Sequence, residues 1–183
     1  YGLVGSEMCI RDSFYTWTLQ SHIDLAKAVW LDYCECKMID TIAREPLWRH
    51  LINYRCGTGH SVSFVGNVHE GPHSLRGTNS VLMRPGMVVT DEPGVYETDL
   101  VGIRIENELV CVHKADNQYG TFLGFEPLMF VPIATSPILP GVLDKDEIAW
   151  LNDYHRQVFA KLAPHLNDEE RSWLAEKCAA IGC

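Results

Sequence analysis

Three side chains in the middle of the chain could together bind divalent metal ions: one imidazole and two carboxylates. His60 follows a glycine-rich stretch, Glu92 stands at the end of a predicted strand, and Glu106 lies in a second β-rich segment. One nitrogen ligand with several hard oxygen ligands suits manganese, cobalt or zinc, and carboxylates can bridge two ions. A two-metal site of this kind activates a bridging water for hydrolysis. The spacing alone leaves an alternative open, in which Glu106 faces solvent or pairs with Arg104.

Two other metal-binding patterns in the sequence are weaker. Residues 69–73 match the zinc-protease pattern H-E-x-x-H. That pattern requires both histidines one turn apart on a helix, and the Gly71-Pro72 pair between them cannot continue a helix. Cys34-Glu35-Cys36 lacks a second cysteine or histidine pair at finger spacing, which argues against structural zinc. The seven cysteines form no disulfide pattern, so we expect mostly reduced thiols.

Helices are predicted before this region. Apolar residues recur at helical spacing over residues 15–31 and again over 37–44. Pro46 should end or kink the second helix, because proline lacks the backbone N–H that a helix interior needs. Residues 1–13 show no periodicity, and we interpret them as a non-native leader, such as a cloning or assembly remnant, outside the fold.

The central region is predicted to be strands and turns. A turn at residues 84–86 starts a short strand at 87–90, which a second turn at 91–94 closes. Residues 101–112 alternate and are β-rich, and residues 128–133 form a last short strand.

The C-terminal region is predicted to be helical. Asp144 with Glu147, and Asn167 with Glu170, have the spacing of capping boxes at two helix starts. Gly182 stands where the last helix would have its C-cap. Helices, then strands, then a helical tail indicate an α+β fold.

Composition excludes several classes of function. The 183 residues carry 15 basic and 24 acidic side chains, a net charge of −9. No basic stripe is present that could contact phosphates, so we expect no nucleic-acid partner. No apolar run approaches the roughly 20 residues that span a bilayer, and residues 1–13 have no signal-peptide core. We therefore expect a cytoplasmic protein without a membrane partner.

Four segments follow one another in the middle of the chain: Gly57-Thr58-Gly59-His60, Asn67-Val68-His69-Glu70-Gly71-Pro72, Thr90-Asp91-Glu92-Pro93-Gly94-Val95-Tyr96 and Gly102-Ile103-Arg104-Ile105-Glu106-Asn107. In this order and spacing they resemble the Xaa-Pro aminopeptidase (aminopeptidase P) family of metallopeptidases, which have the pita-bread fold. Residues 119–133 are similar to the segment that closes this catalytic domain, and the tail is similar to a helical extension that many members carry.

The resemblance implies a domain organisation. Residues 1–13 would be the leader, 14–135 part of a pita-bread catalytic domain that is truncated at its N-terminus, and 136–183 the helical extension. It also implies two divalent metal ions in the complete enzyme, with manganese first and zinc or cobalt as alternatives. Peptides that begin Xaa-Pro would be the substrates, and a homodimer stays an open option.

The resemblance also implies roles for single residues. His60, Glu92 and Glu106 fall on metal-ligand positions, and Glu92 is in addition the catalytic carboxylate that shuttles a proton. His69 matches a catalytic histidine that holds the substrate and stabilises the oxyanion. Cys56 and Arg104 fall at the substrate-binding cleft, where Arg104 would hold its neighbours in place.

The sequence departs from the family pattern at several positions. Two aspartate ligands that the family needs have no counterpart upstream of residue 15, where only Asp12 of the leader is found. Cys56 stands where the family has histidine, and Ser61 and Ser63 stand where it has glycines. We therefore expect an incomplete fragment that is weakly active or inactive.

Two alternative functions stay open from the sequence. A metal-free pita-bread module that binds peptides or proteins would explain Cys56 and the two serines. A prolidase-type dipeptidase is the nearest alternative enzyme. Two aspartates at ligand spacing in the upstream sequence would favour an enzyme over the binding module.

Overall fold

The computed structural model describes residues 3–182, with side chains from residue 9 onward, and the chain divides into two compact units. Residues 17–129 form the larger unit. The smaller unit takes residues up to 16 and from 130 onward. The domain boundaries expected after residues 13 and 135 stay predictions.

Helix α1, Leu3–Ala26, begins earlier and ends earlier than predicted. Residues 3–13, which we expected to lie outside the fold, form its first turns, and their non-native origin stays a prediction. The helix predicted as far as residue 31 is wrong at its end, where Val29–Leu31 form strand β1. This strand gains hydrogen bonds from a distant partner strand, which local periodicity does not reveal. Among residues 3–182, no helix is both long and apolar enough to cross a membrane.

Helix α2, Cys36–Trp48, buries one apolar face that includes Ile39, Ala43 and Leu47. The helix does not end at Pro46, since it continues to Trp48. Pro46 lies in the last turn, where the missing N–H removes only one bond close to the helix end.

The main sheet of the larger unit is antiparallel, with strand order β1-β8-β7-β4. Its other strands are β4, Val88–Asp91, β7, Asn107–Asn117, and β8, Gly120–Pro127. Strand β4 confirms the prediction for residues 87–90 to within one residue. The strand predicted at 128–133 is wrong, because the ladder with β7 ends at Pro127 and the following residues are irregular.

Two short strand pairs complete the larger unit. Strand β2, Gly59–His60, pairs with β3, Ser74–Leu75, and β5, Gly94–Glu97, pairs with β6, Val101–Arg104. The β-rich character predicted for residues 101–112 is confirmed. The segment divides into two strands, because its first part, β6, pairs with β5 and its second part, β7, pairs with β4 and β8.

The smaller unit contains helices α3, Lys145–Leu162, and α4, Asp168–Lys177. Both predicted capping boxes are confirmed. The side chains of Asp144 and Asn167 accept from backbone N–H groups three residues on, and their own backbone N–H groups donate to the side chains of Glu147 and Glu170. The C-cap predicted at Gly182 is wrong, because α4 ends at Lys177.

A small hydrophobic core joins the helices of this unit. Tyr154 and Val158 of α3 pack with Leu174 of α4, and a short 3₁₀ turn, Ala163–His165, connects the two helices. His155 is buried on the same helix, where its Nε2 atom accepts the N–H of Ile133 at 3.0 Å.

Candidate active site

The two predicted carboxylate ligands lie in two short links that face each other. Glu92-Pro93 connects β4 to β5, and Ile105-Glu106 connects β6 to β7. Strand β4 pairs with β7 on one side of the links, and β5 pairs with β6 on the other. The N–H of Ile105 donates to the carbonyl of Pro93 at 3.4 Å, so the links run antiparallel. Glu106 is exposed to solvent on its link.

His60 and Glu92 meet directly. The Nε2 atom of His60 lies 3.2 Å from Oε1 of Glu92, and both side chains are about 85% buried. The Nδ1 atom lies 3.0 Å from the carbonyl oxygen of Ser61, which can only accept. In the tautomer that donates from Nδ1 to this oxygen, the Nε2 lone pair faces the carboxylate.

Thr90 holds both of these residues, and sequence reasoning missed it. Its hydroxyl oxygen accepts the backbone N–H of His60 at 3.0 Å, and the hydroxyl donates to Oε1 of Glu92 at 2.9 Å. Gly59 makes this approach feasible, because a Cβ atom there would lie 1.7 Å from the carbonyl oxygen of Thr90. Thr90 stands within a motif of the sequence, but its type gave no sign of this double contact.

Arg104 occupies the other side of the Glu92 carboxylate. Its Nη1 group donates to Oε2 of Glu92, and its Nε group donates to the hydroxyl of Tyr96 at 3.0 Å. Its Nη2 atom lies 3.9 Å from the sulfur of Cys56, whose thiol lies 3.5 Å from the carbonyl of Gly94. The structure thus brings Arg104 to Glu92, and Cys56 to Arg104.

His69 lies against the same cluster from the solvent side. Its ring stacks on the ring of His60, with centroids 3.7 Å apart and planes 20° from parallel. His69 is exposed, whereas His60 is largely buried. A substrate that reached this cluster from solvent would therefore meet His69 first.

A buried carboxylate and a buried imidazole lie next to Glu92. Asp91, which precedes Glu92, is fully buried, and its Oδ2 atom lies 3.0 Å from Nδ1 of the buried His22 in α1. Burial raises the pKa of Asp91, the contact with His22 opposes this rise, and the charges of Glu92 and Glu106 add to it. No sequence signal connected His22 with Asp91.

The donor set suits a divalent metal ion in kind but does not complete its coordination. His60 and Glu92 offer a nitrogen and carboxylate oxygens, which manganese, zinc and cobalt all accept. Within the described side chains, no three histidine, cysteine, aspartate or glutamate groups form a cluster that could hold a metal ion. All six cysteines of the described region are free, as predicted.

Sequence comparisons relate nearly the whole chain to aminopeptidases P. The profile of metallopeptidase family M24 matches residues 3–113, and that of the C-terminal region of peptidase_M24 matches residues 121–181. Aminopeptidase P1 of Lotus japonicus is 40% identical over 174 residues, which are 92% of this chain and 26% of that protein. Xaa-Pro aminopeptidase app-1 of Caenorhabditis elegans is 40% identical over 179 residues, 91% of this chain and 28% of that protein. The chain thus spans about a quarter of the length of these relatives.

Solved structures also relate this chain to aminopeptidases P. The X-prolyl aminopeptidase of Caenorhabditis elegans, described as a cytosolic enzyme with a di-nuclear active site, aligns with a TM-score of 0.86 at 38% identity. The alignment covers 93% of this chain and 28% of that one. The prolidase of Pyrococcus furiosus aligns over 63% of this chain and 31% of its own, with a TM-score of 0.53 at 25% identity. The predicted α+β pita-bread fold is therefore confirmed, and the chain, which is similar to aminopeptidases P, belongs to metallopeptidase family M24.

Proposed function

We propose that a longer protein containing this chain is a metal-dependent aminopeptidase, which releases the N-terminal residue from peptides with proline in the second position. The observation that carries the proposal is the contact of His60 Nε2 with Glu92 Oε1 at 3.2 Å. It lies in a chain that is 40% identical to aminopeptidases P over nearly its whole length. A cytoplasmic location is part of the proposal, because the related nematode enzyme is described as cytosolic.

The metal ligands in this proposal are His60, Glu92 and Glu106, together with ligands that the longer protein supplies elsewhere. Two divalent ions, of manganese, zinc or cobalt, would lower the pKa of a bound water so that it can attack the peptide carbonyl. With the ions bound, Glu92 would be the group that takes up the proton of that water and passes it on. Thr90 and Arg104 hold one oxygen each of the Glu92 carboxylate and so fix its orientation.

The substrate contacts in this proposal come from the exposed side of the cluster. His69 donates a hydrogen bond to the substrate carbonyl as negative charge develops on its oxygen. Cys56 and Arg104 line the cleft beside Glu92, where they contact the peptide. The 183-residue chain alone should bind metal weakly and cleave peptides little or not at all, because it supplies only part of the ligand set.

A second candidate is a peptide-binding module that works without metal. The observation that favours it is that both oxygens of Glu92 already accept hydrogen bonds within the chain, Oε1 from Thr90 and Oε2 from Arg104. Such a carboxylate is stable in its largely buried position without an added cation.

The test compares metal content and cleavage of Xaa-Pro peptides between the 183-residue chain and a version extended upstream to its natural start. The aminopeptidase proposal predicts about two bound metal ions, and cleavage of the peptides, in the extended protein only. A Glu92→Gln change in that protein should then lower kcat by at least a hundredfold. Glu126→Gln is the matched control, because that carboxylate is exposed and lies outside the site. Peptide binding without metal or cleavage in both forms would contradict the aminopeptidase and support the module.

A further inference from the structure

Helix α2 carries a buried ion pair that lies outside the candidate active site. The Nε group of Arg44 donates to Oδ2 of Asp40 at 2.8 Å, and Asp40 is 1% exposed. Burying two charges costs more than their attraction returns unless their remaining donors and acceptors also find partners. The other partners of this pair therefore indicate what the pair holds in place.

Arg44 directs its remaining donors to one short stretch of chain. Its Nη1 group donates to the side chain of Asn53 at 3.1 Å and to the carbonyl of Tyr54 at 2.9 Å, and Nη2 donates to the carbonyl of Cys56 at 2.9 Å. The guanidinium carbon also lies 4.2 Å from the centroid of the Tyr54 ring. Because the guanidinium is planar and rigid, these contacts fix the path of residues 53–56.

Asp40 holds the next residues through Thr58. The hydroxyl of Thr58 donates to Oδ1 of Asp40, so the hydroxyl of Tyr54, 2.5 Å away, donates to Thr58 in turn. Thr58 is fully buried, and its N–H donates to the carbonyl of Leu75 at 2.9 Å. The hydroxyl and the N–H of Thr58 thus both have hydrogen-bond partners.

Thr58 connects this network to the site. Its carbonyl oxygen accepts the backbone N–H of Glu92 at 2.7 Å, and His60 follows it by two residues in the chain. A displacement of Thr58 would therefore move His60 and Glu92 relative to each other.

We propose that Asp40 and Arg44 are positioning residues, which act through Thr58 to set the separation of His60 and Glu92. The pair touches neither of the two site residues, so its effect passes through the backbone of residues 53–58. The consequence for catalysis rests on the proposed function, whereas the effect on geometry does not.

The first test measures amide hydrogen exchange by NMR in the 183-residue chain. Arg44→Lys and Thr58→Val should accelerate exchange of the Glu92 and His60 amides about tenfold and leave the β7–β8 ladder within twofold. Thr58→Ser, which keeps the hydroxyl, should restore slow exchange. Arg49→Lys is the matched control, because Arg49 forms an exposed ion pair with Glu45 at the end of the same helix.

Two exchange results would overturn the proposal. Equal acceleration across the whole larger unit would mean that the pair only stabilises the fold. Unchanged exchange at Glu92 and His60 in Arg44→Lys would mean that it positions nothing. Should Thr58→Val fail to fold, Arg44→Lys decides the question, because it keeps the charge and the aliphatic stem.

The second test uses the extended protein and Xaa-Pro peptides. Arg44→Lys should lower kcat about tenfold with KM within twofold, and Arg49→Lys should leave both unchanged. If Arg44→Lys lowered kcat only in proportion to the fraction of protein that is folded, this result would contradict a positioning role. If the unsubstituted extended protein cleaves no such peptide, the proposed function fails, and the exchange measurement alone decides on positioning.

Discussion

Replacing Gly59 with alanine should separate the two sides of the candidate site. The added Cβ atom would lie 1.7 Å from the carbonyl oxygen of Thr90 and 2.8 Å from its carbonyl carbon. Real Cβ atoms are not found closer than 3.0 Å to such atoms, so the two backbones must move apart by more than an ångström. Backbone atoms cannot move aside as a flexible side chain can.

The expected loss of stability in Gly59→Ala follows from the hydrogen bonds that such a movement breaks. The N–H of His60 would leave the hydroxyl of Thr90, now 3.0 Å away, and the N–H of Glu92 would leave the carbonyl of Thr58, now 2.7 Å away. Each lost hydrogen bond costs about 1 kcal/mol, and the added steric strain costs about 1–3 kcal/mol. We expect a loss of about 3–5 kcal/mol in the free energy of unfolding, against about 5–15 kcal/mol for a typical domain.

Urea denaturation followed by fluorescence and circular dichroism measures this loss. Gly77→Ala is the matched control in the same unit, because the nearest atom to its added Cβ is Oδ2 of Asp40 at 3.9 Å. The control should change stability by less than about 0.5 kcal/mol. A Gly59→Ala protein within about 1 kcal/mol of the unsubstituted chain would refute the reasoning, because the close approach of β2 and β4 would then not exist.

Three further changes test other parts of the structure by urea denaturation. Thr90→Val should lower the free energy of unfolding by about 2 kcal/mol, because it removes a hydrogen bond to a carboxylate and leaves a backbone N–H unpaired. Thr90→Ser keeps the hydroxyl and should recover most of this stability. Equal losses in the two variants would contradict the role of the hydroxyl. Leu174→Ala should lower the free energy of unfolding by about 3 kcal/mol, since Leu174 is 2% exposed in the core of the smaller unit. The control, Trp173→Ala at the exposed neighbouring position, should lower it by less than about 1 kcal/mol. Burial lowers the pKa of His155 below its ordinary 6.5, so the unfolded state binds the proton more readily and stability should fall as pH drops below about 6.5. His155→Gln should lessen this slope by up to about 1.4 kcal/mol per pH unit, and an unchanged slope would exclude His155 as its source.

The features that could be predicted from sequence depend on neighbouring residues. Both capping boxes were correct, because a capping box needs only residues three positions apart. The prediction of strand β4 was also correct, because turn residues lie on both sides of this strand. The resemblance to one family rested on short motifs, and the comparisons confirm that family.

The features that failed depend on distant partners. Residues 29–31 form a strand because β8 lies beside them, and their own pattern continued a helix. The β-rich residues 101–112 change partners at Ile105-Glu106, and this change produces the link that carries Glu106. Alternation within the segment cannot show where one partner replaces another.

The residues that support the site were invisible for the same reason. Thr58 and Asp40 are 18 positions apart, and His22 and Asp91 lie still further from each other. Each is an ordinary polar residue in the sequence, and only burial makes its contacts obligatory. A sequence motif therefore identifies the side chains that could do chemistry, whereas the network that holds them emerges only from the folded chain.

Contacts within this chain hold Glu92. A largely buried carboxylate without partners would be costly, but one of its oxygens accepts from Thr90 and the other from Arg104. The backbone of Glu92 is fixed separately through Thr58. Because both the side chain and the backbone are held, a metal ion or a peptide that bound at Glu92 would meet groups already in place, and less of its binding free energy would be lost to ordering them.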